Sequence, residues 1–379
     1  MNPVGVKKRN IAYIPKDYID SHYVGNLYGW LIEKSGVCNI CYQNTNGAGR
    51  IGVVYESKPD DSNNDKVEAW WEGNQLVCRY KGTILDVQSY EIQTDIFSRN
   101  EGILECQQML DSYVVISGCG SVGSLVALEL ARAGVGNFVL IDNDILQYHN
   151  ICRHQCDCRD VGKYKSDALS ERIRRINPKA KVVSIVGVLE QTSKEVFNDN
   201  CIGKNAIIVG CADNREADIY ANSLAAFYNI PFVSIGFWER AFAGEIFYYI
   251  PGQGMPCYEC AVGSSEMSAR TETNHRFYTT QQSLENVNFE PGISVDISFV
   301  TIVGIKLIIA ILNRYRKDYT QRLLPHLSQF TLVCNTNDRR LGGDMAEIFA
   351  YPLQVTTSLQ VGFGQRCSGK CQYENDENE

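Results

Sequence analysis

A glycine turn between an apolar run and a helical run, Gly118-Cys119-Gly120-Ser121-Val122-Gly123-Ser124, constrains this chain more than any other stretch. The five residues before it, Tyr113 to Ser117, are continuously apolar but for the last, the pattern of a buried parallel strand. The residues after it, Leu125 to Ala133, read as a helix that stops at Gly134. Such a turn leaves backbone N–H groups unpaired at a positive helix end, where they can hold phosphate. A second strand, Phe138 to Ile141, then delivers Asp142 where a ribose hydroxyl would lie. The three parts together predict a nucleotide-binding βαβ unit in which Gly118, Gly120, Ser121 and Gly123 form the phosphate turn.

Two features separate this unit from a dinucleotide dehydrogenase. The acidic strand end is doubled, Asp142 and Asp144, which suits a ribose plus a metal- or base-side role. Asn150, Arg153, Lys163 and Lys165 follow within one short stretch, leading into a helix expected around 167–176. Taken singly, each lysine reads as a solvated side chain. As an ordered set the cations fit a triphosphate, whose charge must be neutralised while a bond at the α-phosphorus is exchanged. A third strand, Ala206 to Gly210, ends at Cys211-Ala212-Asp213-Asn214-Arg215. Open parallel sheets bind ligands at the carboxyl ends of their strands, so Asp213 and Asn214 should share the crevice. Asp213 suits Mg2+, which favours one or two carboxylates plus phosphate oxygens. Asn214 can cap the next helix at the same time.

With these residues in order, the chain resembles the ubiquitin-activating-enzyme-like adenylyltransferases of the HesA/MoeB/ThiF superfamily. The resemblance rests on GCGSVGS, IDND, N-x-x-R, G-K-x-K, A-D-N-R and C-x-x-C, and covers about residues 98–371. It implies ATP as the nucleotide, with Asp142 on the ribose, Asn150, Arg153 and Lys165 on the phosphates, and Asp213 on Mg2+. It further implies a homodimer in which Arg99 reaches the partner's site, and a substrate that is a ubiquitin-like or sulfur-carrier protein. The microcin C-modifying members adenylate a short ribosomal peptide and also carry an N-terminal module, so a peptide substrate stays open. A nicotinamide or flavin oxidoreductase and a non-catalytic scaffold are the remaining alternatives.

The chain has 15 cysteines, yet its N-terminus carries charge and no apolar core of a signal peptide, so a reducing cytoplasm is expected. Cys257 and Cys260 form a C-x-x-C pair after a Pro/Gly-rich turn, and Cys367 and Cys371 form a second pair near the C-terminus. Four thiolates in two pairs match a closed, structural Zn2+ site. In the resembling family the second pair is usually spaced by two residues; here it is spaced by three. Thioester-forming members usually place a nucleophilic cysteine after the first zinc pair, and residues 261–333 contain none. Cys119, Cys152, Cys156 and Cys158 lie close to the nucleotide turns, each readable as a small buried hydrophobe. Cys38 and Cys41 repeat the C-x-x-C spacing without an obvious second pair.

The expected fold is α/β: a Rossmann-like doubly wound sheet with a four-cysteine zinc knuckle over residues 96–371. A small α+β module over 1–95 precedes it, with a helix around 26–34 and a substrate-recognition or capping role. The polar segment 263–290 is expected to cross the active site, and 372–379 is an acidic tail. A net charge of −8 gives no electrostatic case for nucleic acid. The most apolar stretch, Ile297 to Leu312, is broken by Lys306 and reads as a buried helix, not a membrane span.

Overall fold

The computed structural model describes residues 8–43, 45, 47–60, 65–91, 95–212, 214–238, 241, 243–263, 292–335, 356–359 and 361–362. The chain divides into two compact units: Met1–Glu101 together with Arg174–Pro178, and the remainder.

The first unit is a closed seven-stranded barrel. Its strands are β1 (Ile11–Pro15), β2 (Gly25–Ile32), β3 (Val37–Cys41), β4 (Gly49–Tyr55), β5 (Val67–Glu72), β6 (Gln75–Tyr80) and β7 (Thr83–Tyr90), in the order β1-β3-β2-β4-β5-β6-β7. Parallel pairing of β1 with β7 closes it. Inward side chains, among them Ile14, Leu27, Ile40, Val54, Trp71 and Leu76, fill the interior. Glu72-Gly73-Asn74 makes the expected hairpin turn, with Gly73 at φ +61° between β5 and β6. The α+β expectation fails here. Among the described residues the barrel carries one α-helix, α1 (Lys16–Asp20), and the helix expected over 26–34 is strand β2. Leu27 and Gly29 point inward, but Tyr28, Trp30 and Ile32 place apolar groups on the outer face too. Apolar residues on both faces hid the period of two. Cys38 and Cys41 are three apart on β3, so their side chains lie on opposite faces and cannot pair.

The second unit is built on an eight-stranded sheet: β8 (Ser112–Ser117), β9 (Asn137–Ile141), β10 (Lys181–Ile185), β11 (Asn205–Gly210), β12 (Phe232–Phe237), β13 (Ala243–Tyr249), β14 (Phe330–Cys334) and β15 (Thr356–Leu359). Its order is β10-β9-β8-β11-β12-β13-β14-β15. Strands β8 to β12 run parallel, and β13, β14 and β15 extend the sheet antiparallel. The helices are α2 (Cys106–Leu110), α3 (Ser121–Arg132), α4 (Lys165–Ile176), α5 (Lys194–Cys201), α6 (Arg215–Phe227), α7 (Tyr258–Val262) and α8 (Ser294–Leu312). Helix α3 links β8 to β9, and later crossovers return to the other side of β8. The strand order therefore reverses between β8 and β11, where doubly wound sheets open a ligand crevice.

The parallel strands read as unbroken apolar runs because both of their faces are covered. Val115, Val139, Ile208, Phe232, Phe247 and Phe330 lie in one buried cluster with Ala221 and Ala225 of α6. Helix α8 is apolar and long enough to cross a bilayer, but it packs on α3, β12 and β13. Its Ile297, Val300, Leu307, Ile308 and Ile311 are buried in this unit.

Candidate nucleotide-binding crevice

A cavity of about 650 Å³ opens at the β8/β11 reversal. Gly118, Gly120 and Ser121 line it together with Asp142, Asp144, Asn150, Arg153, Lys165 and Asn214. Nine positions expected from the sequence thus meet at one opening. Asp213 lies outside the described residues, as do Cys367, Cys371, the tail 372–379 and all of the expected crossing segment except Gly263.

Geometry explains the glycines. Gly118 has φ +92°, and a Cβ there would stand 2.7 Å from the Cys211 carbonyl oxygen. A Cβ on Gly123 would stand 1.9 Å from the Gly118 carbonyl, so the first turn of α3 closes on the loop only without a side chain. Gly120, the N-cap of α3, makes no side-chain cap, and the space beside it is open. The first amides of the helix therefore remain available to an anion.

Asp142 organises this loop. Its Oδ2 accepts the Cys119 amide at 2.7 Å and its Oδ1 accepts the Asp144 amide at 2.7 Å. An ionised carboxylate offers about four lone-pair sites, so acceptor capacity remains for a ribose hydroxyl. Asn150 Oδ1 accepts the Gln147 amide at 2.9 Å, which fixes the turn Tyr148–Asn150 and leaves the side-chain NH2 as donor. Lys165, the first residue of α4, pairs with Asp144 at 2.7 Å. Asn214 caps α6 through the Glu216 amide at 2.9 Å. Lys163 does not line the cavity; Asp160 and Glu171 hold it instead. Arg99 is exposed in the turn Ser98–Asn100 of the first unit.

Sequence reasoning missed His154, which lines the same cavity and is 6% exposed. Its Nδ1 accepts the Cys156 amide at 3.0 Å, so the ring proton sits on Nε2, 2.8 Å from the Cys119 carbonyl oxygen. Burial lowers its pKa to about 4. A further wall of Ile235, Phe237, Trp238, Ala241 and Ile297 is apolar. Behind it, Glu245 accepts the Trp238 indole N–H at 2.9 Å.

Of the cysteines near the nucleotide turns, Cys119 and Cys156 are buried, and burial pushes both thiols up, Cys156 to about 12. They are held as thiols, not nucleophiles. Cys152 and Cys158 are exposed. Cys257 and Cys260 are buried at the start of α7 with their sulfurs 3.7 Å apart. Two thiolates on one tetrahedral zinc stand about 3.8 Å apart, given Zn–S bonds of about 2.3 Å. The spacing is compatible with two ligands of one zinc ion, and among the described residues no third His, Cys, Asp or Glu joins them. Asn222 of α6 accepts the intervening Tyr258 amide at 2.6 Å, which ties this knuckle to the sheet's helix layer.

The ThiF family model matches residues 90–340. The sulfur carrier protein ThiS adenylyltransferase of Escherichia coli is 28% identical over 155 residues, 41% of this chain and 59% of that protein. The SAMP-activating enzyme E1 of Haloferax volcanii is 29% identical over 154 residues, 40% of this chain and 54% of that protein. Ubiquitin-like modifier-activating enzyme 5 of Caenorhabditis elegans is 27% identical over 224 residues, 56% and 53% of the two chains. The chain thus spans little more than half the length of each of these relatives. Among solved structures, E. coli MccB with AMPCPP and MccA superposes with a TM-score of 0.51 at 20% identity, covering 73% of this chain and 74% of that one. At that identity the likeness shows a shared fold.

Proposed function

This chain belongs to the ThiF family, and from that footing we propose that it is an ATP-dependent adenylyltransferase acting on a C-terminal carboxylate. The substrate in this reading is a ubiquitin-like or sulfur-carrier protein, the class named for its relatives. The observation that carries it is the convergence of a glycine turn, Asp142, Asn150, Arg153 and Lys165 on one cavity.

The substrate carboxylate oxygen attacks the α-phosphorus in line. The bond from that phosphorus to the bridging oxygen breaks, and acyl-AMP and pyrophosphate result. A carboxylate is already ionised at neutral pH, so no general base is required. The work is positioning and charge neutralisation. Amides at the start of α3 face the phosphates, Asn150 donates through its NH2, and Arg153 and Lys165 offset the charge of the leaving pyrophosphate. Mg2+ on Asp213, a homodimer completed by Arg99, and a cytoplasmic setting that keeps the thiols reduced belong to the same proposal. Zn2+ on Cys257, Cys260, Cys367 and Cys371 would be structural. A short peptide is the second reading, favoured by the first compact unit, which offers a candidate receptor.

ATP–pyrophosphate exchange tests the proposal, with a β-grasp protein ending in Gly-Gly or a peptide carboxylate added. Arg153→Ala and Lys165→Ala should each slow exchange by about 10²–10³. Stabilisation by NAD(H) with none by ATP and Mg2+ would replace this reading with an oxidoreductase.

A further inference from the structure

We propose that His154 is a positioning residue: as an uncharged strut it sets the phosphate turn against the segment that carries Asn150 and Arg153. The inference rests on the adenylyltransferase reading for the identity of the nucleotide.

The two peptide groups on either side of the Cys119 Cα are each held. Asp142 takes the Cys119 N–H at 2.7 Å and His154 holds the Cys119 C=O at 2.8 Å. Asp142 thereby fixes the Gly118–Cys119 peptide plane and His154 the Cys119–Gly120 plane, and with Gly118 and Gly120 both lining the cavity the two together set which way the amides of the turn face. Cys119 itself is buried and turns no side chain toward a ligand. Its backbone alone is in use.

The strut comes from a segment that is itself locked. Both the Arg153 and His154 amides bond to the Asn150 carbonyl, at 3.0 and 2.8 Å. The next residue adds a second tie, the Gln155 amide to Ser124 Oγ at 3.3 Å, and Ser124 Oγ bonds onward to the Ser121 carbonyl at 3.2 Å. One segment therefore presents Asn150 and Arg153 to the cavity and grips the phosphate turn at two points. The spacing between the amides and the polar side chains that would meet one triphosphate is set by these contacts. A displacement of about 1 Å between groups that must act together can cost about 10²-fold in rate.

Imidazole suits this place for a definite reason. The Cys156 amide can only donate, so it assigns Nδ1 as acceptor and Nε2 as donor. The neutral ring gives one directed N–H and adds no positive charge that would compete with Arg153 or Lys165 for phosphate. Glutamine can supply the same N–H from its amide; alanine and phenylalanine cannot.

Titration calorimetry with ATP and Mg2+ tests this on the full chain, well below the unfolding temperature of each variant. His154→Ala should weaken ATP binding on the order of 10-fold or more, and His154→Gln should restore it to within about 3-fold of wild type. A merely space-filling role would reverse that ranking in favour of His154→Phe, which keeps the ring volume without the donor, and such a result overturns the inference. Should His154→Ala not fold, the Phe and Gln pair makes the comparison. Ring nitrogen resonances of the wild type should show the neutral Nε2–H tautomer throughout pH 5.5–8; a Nδ1–H tautomer overturns the proposal. Wild-type ATP binding that the Ala and Phe variants retain overturns this inference alone. No ATP binding by the wild type overturns both it and the adenylyltransferase reading.

Discussion

Lys165 and Asp144 form an ion pair at 2.7 Å on the wall of the crevice, with the lysine side chain 11% exposed and the aspartate 66% exposed. The Lys165 amide also bonds the Asp144 carbonyl at 2.9 Å, so the pair is anchored through the backbone whatever the side chains do. Half-exposed pairs add about 0–1 kcal/mol to stability. Asp144→Asn should therefore leave the unfolding midpoint almost unchanged. In the proposed reaction a triphosphate takes over the ammonium, and Asp144 competes with it. Asp144→Asn is then expected to tighten ATP binding a few-fold at low salt, measured by calorimetry. Weakening instead would assign Asp144 itself to the nucleotide.

Gly120 and Gly123 separate ligand approach from folding. A methyl group at Gly123 would overlap the Gly118 carbonyl at 1.9 Å, whereas one at Gly120 meets nothing within 4 Å. Gly123→Ala is expected to lower stability by about 1–3 kcal/mol through forced backbone shifts. Gly120→Ala should keep wild-type stability and lose ATP affinity, because its methyl enters space that phosphate needs. Denaturant unfolding and calorimetry on the same two proteins check both halves.

The crevice was legible because its signals are local. Gly118 to Ser124, Asp142 and Asp144 follow directly from strand ends, and a parallel strand advertises itself as an unbroken apolar run. Strands β8, β9 and β11 and helix α4 lie close to where the sequence puts them. His154 was invisible for the opposite reason. Its partner, the Cys119 carbonyl, is a backbone group 35 residues away, and nothing in the flanking residues marks a histidine that donates to backbone. Lys163 misled because its sequence neighbourhood matches that of Lys165; eight residues later, Glu171 on α4 captures it. The barrel was misread because Trp30 and Ile32 decorate its outer face, which blurs the alternation that a half-buried strand normally shows.

The buried His154 should make the fold sensitive to mild acid. Its folded-state pKa of about 4 lies below the unfolded value near 6.5, so between those values the unfolded chain binds the extra proton. The stability held by the neutral ring is complete above pH 6.5 and is lost as pH falls toward 4. Relative to His154→Gln, which has no titrating group, the wild type should lose about 3 kcal/mol across that window. Urea unfolding at pH 7.5 and 4.5 reads the difference, and parallel curves for the two proteins would refute the assignment.

The knuckle makes a stoichiometric prediction. If Cys257 and Cys260 are half of a four-thiolate site, purified protein should carry one zinc per chain by atomic emission. Cys260→Ser should abolish it, and Cys371→Ser should do the same from the far end of the sequence. Zinc retained in Cys371→Ser would assign the second pair of ligands elsewhere. Loss of metal should also lower the unfolding temperature, since α7 is tied to α6 through Asn222 and structural zinc contributes folding energy directly.

Asp218 of α6 carries the opposite acid–base signature to His154. It is 4% exposed, its Oδ2 accepts the Ser234 hydroxyl, and its Oδ1 packs against Gly210, where a Cβ would stand 2.2 Å away. Among the described residues no donor reaches Oδ1. Burial is the main cause that raises its pKa to about 7; the Ser234 hydrogen bond and Arg215 oppose this, and the nearby Glu245 adds to it. The folded chain therefore binds the extra proton between pH 3.8 and about 7. Stability falls as pH rises through that window, and the full cost is present above it. Asp218→Asn keeps an acceptor for Ser234 and removes the buried charge. It should gain on the order of 4 kcal/mol over wild type at pH 8 and almost nothing at pH 4. A variant equally stabilised at both pH values would mean that shape, not charge, is what strains this position.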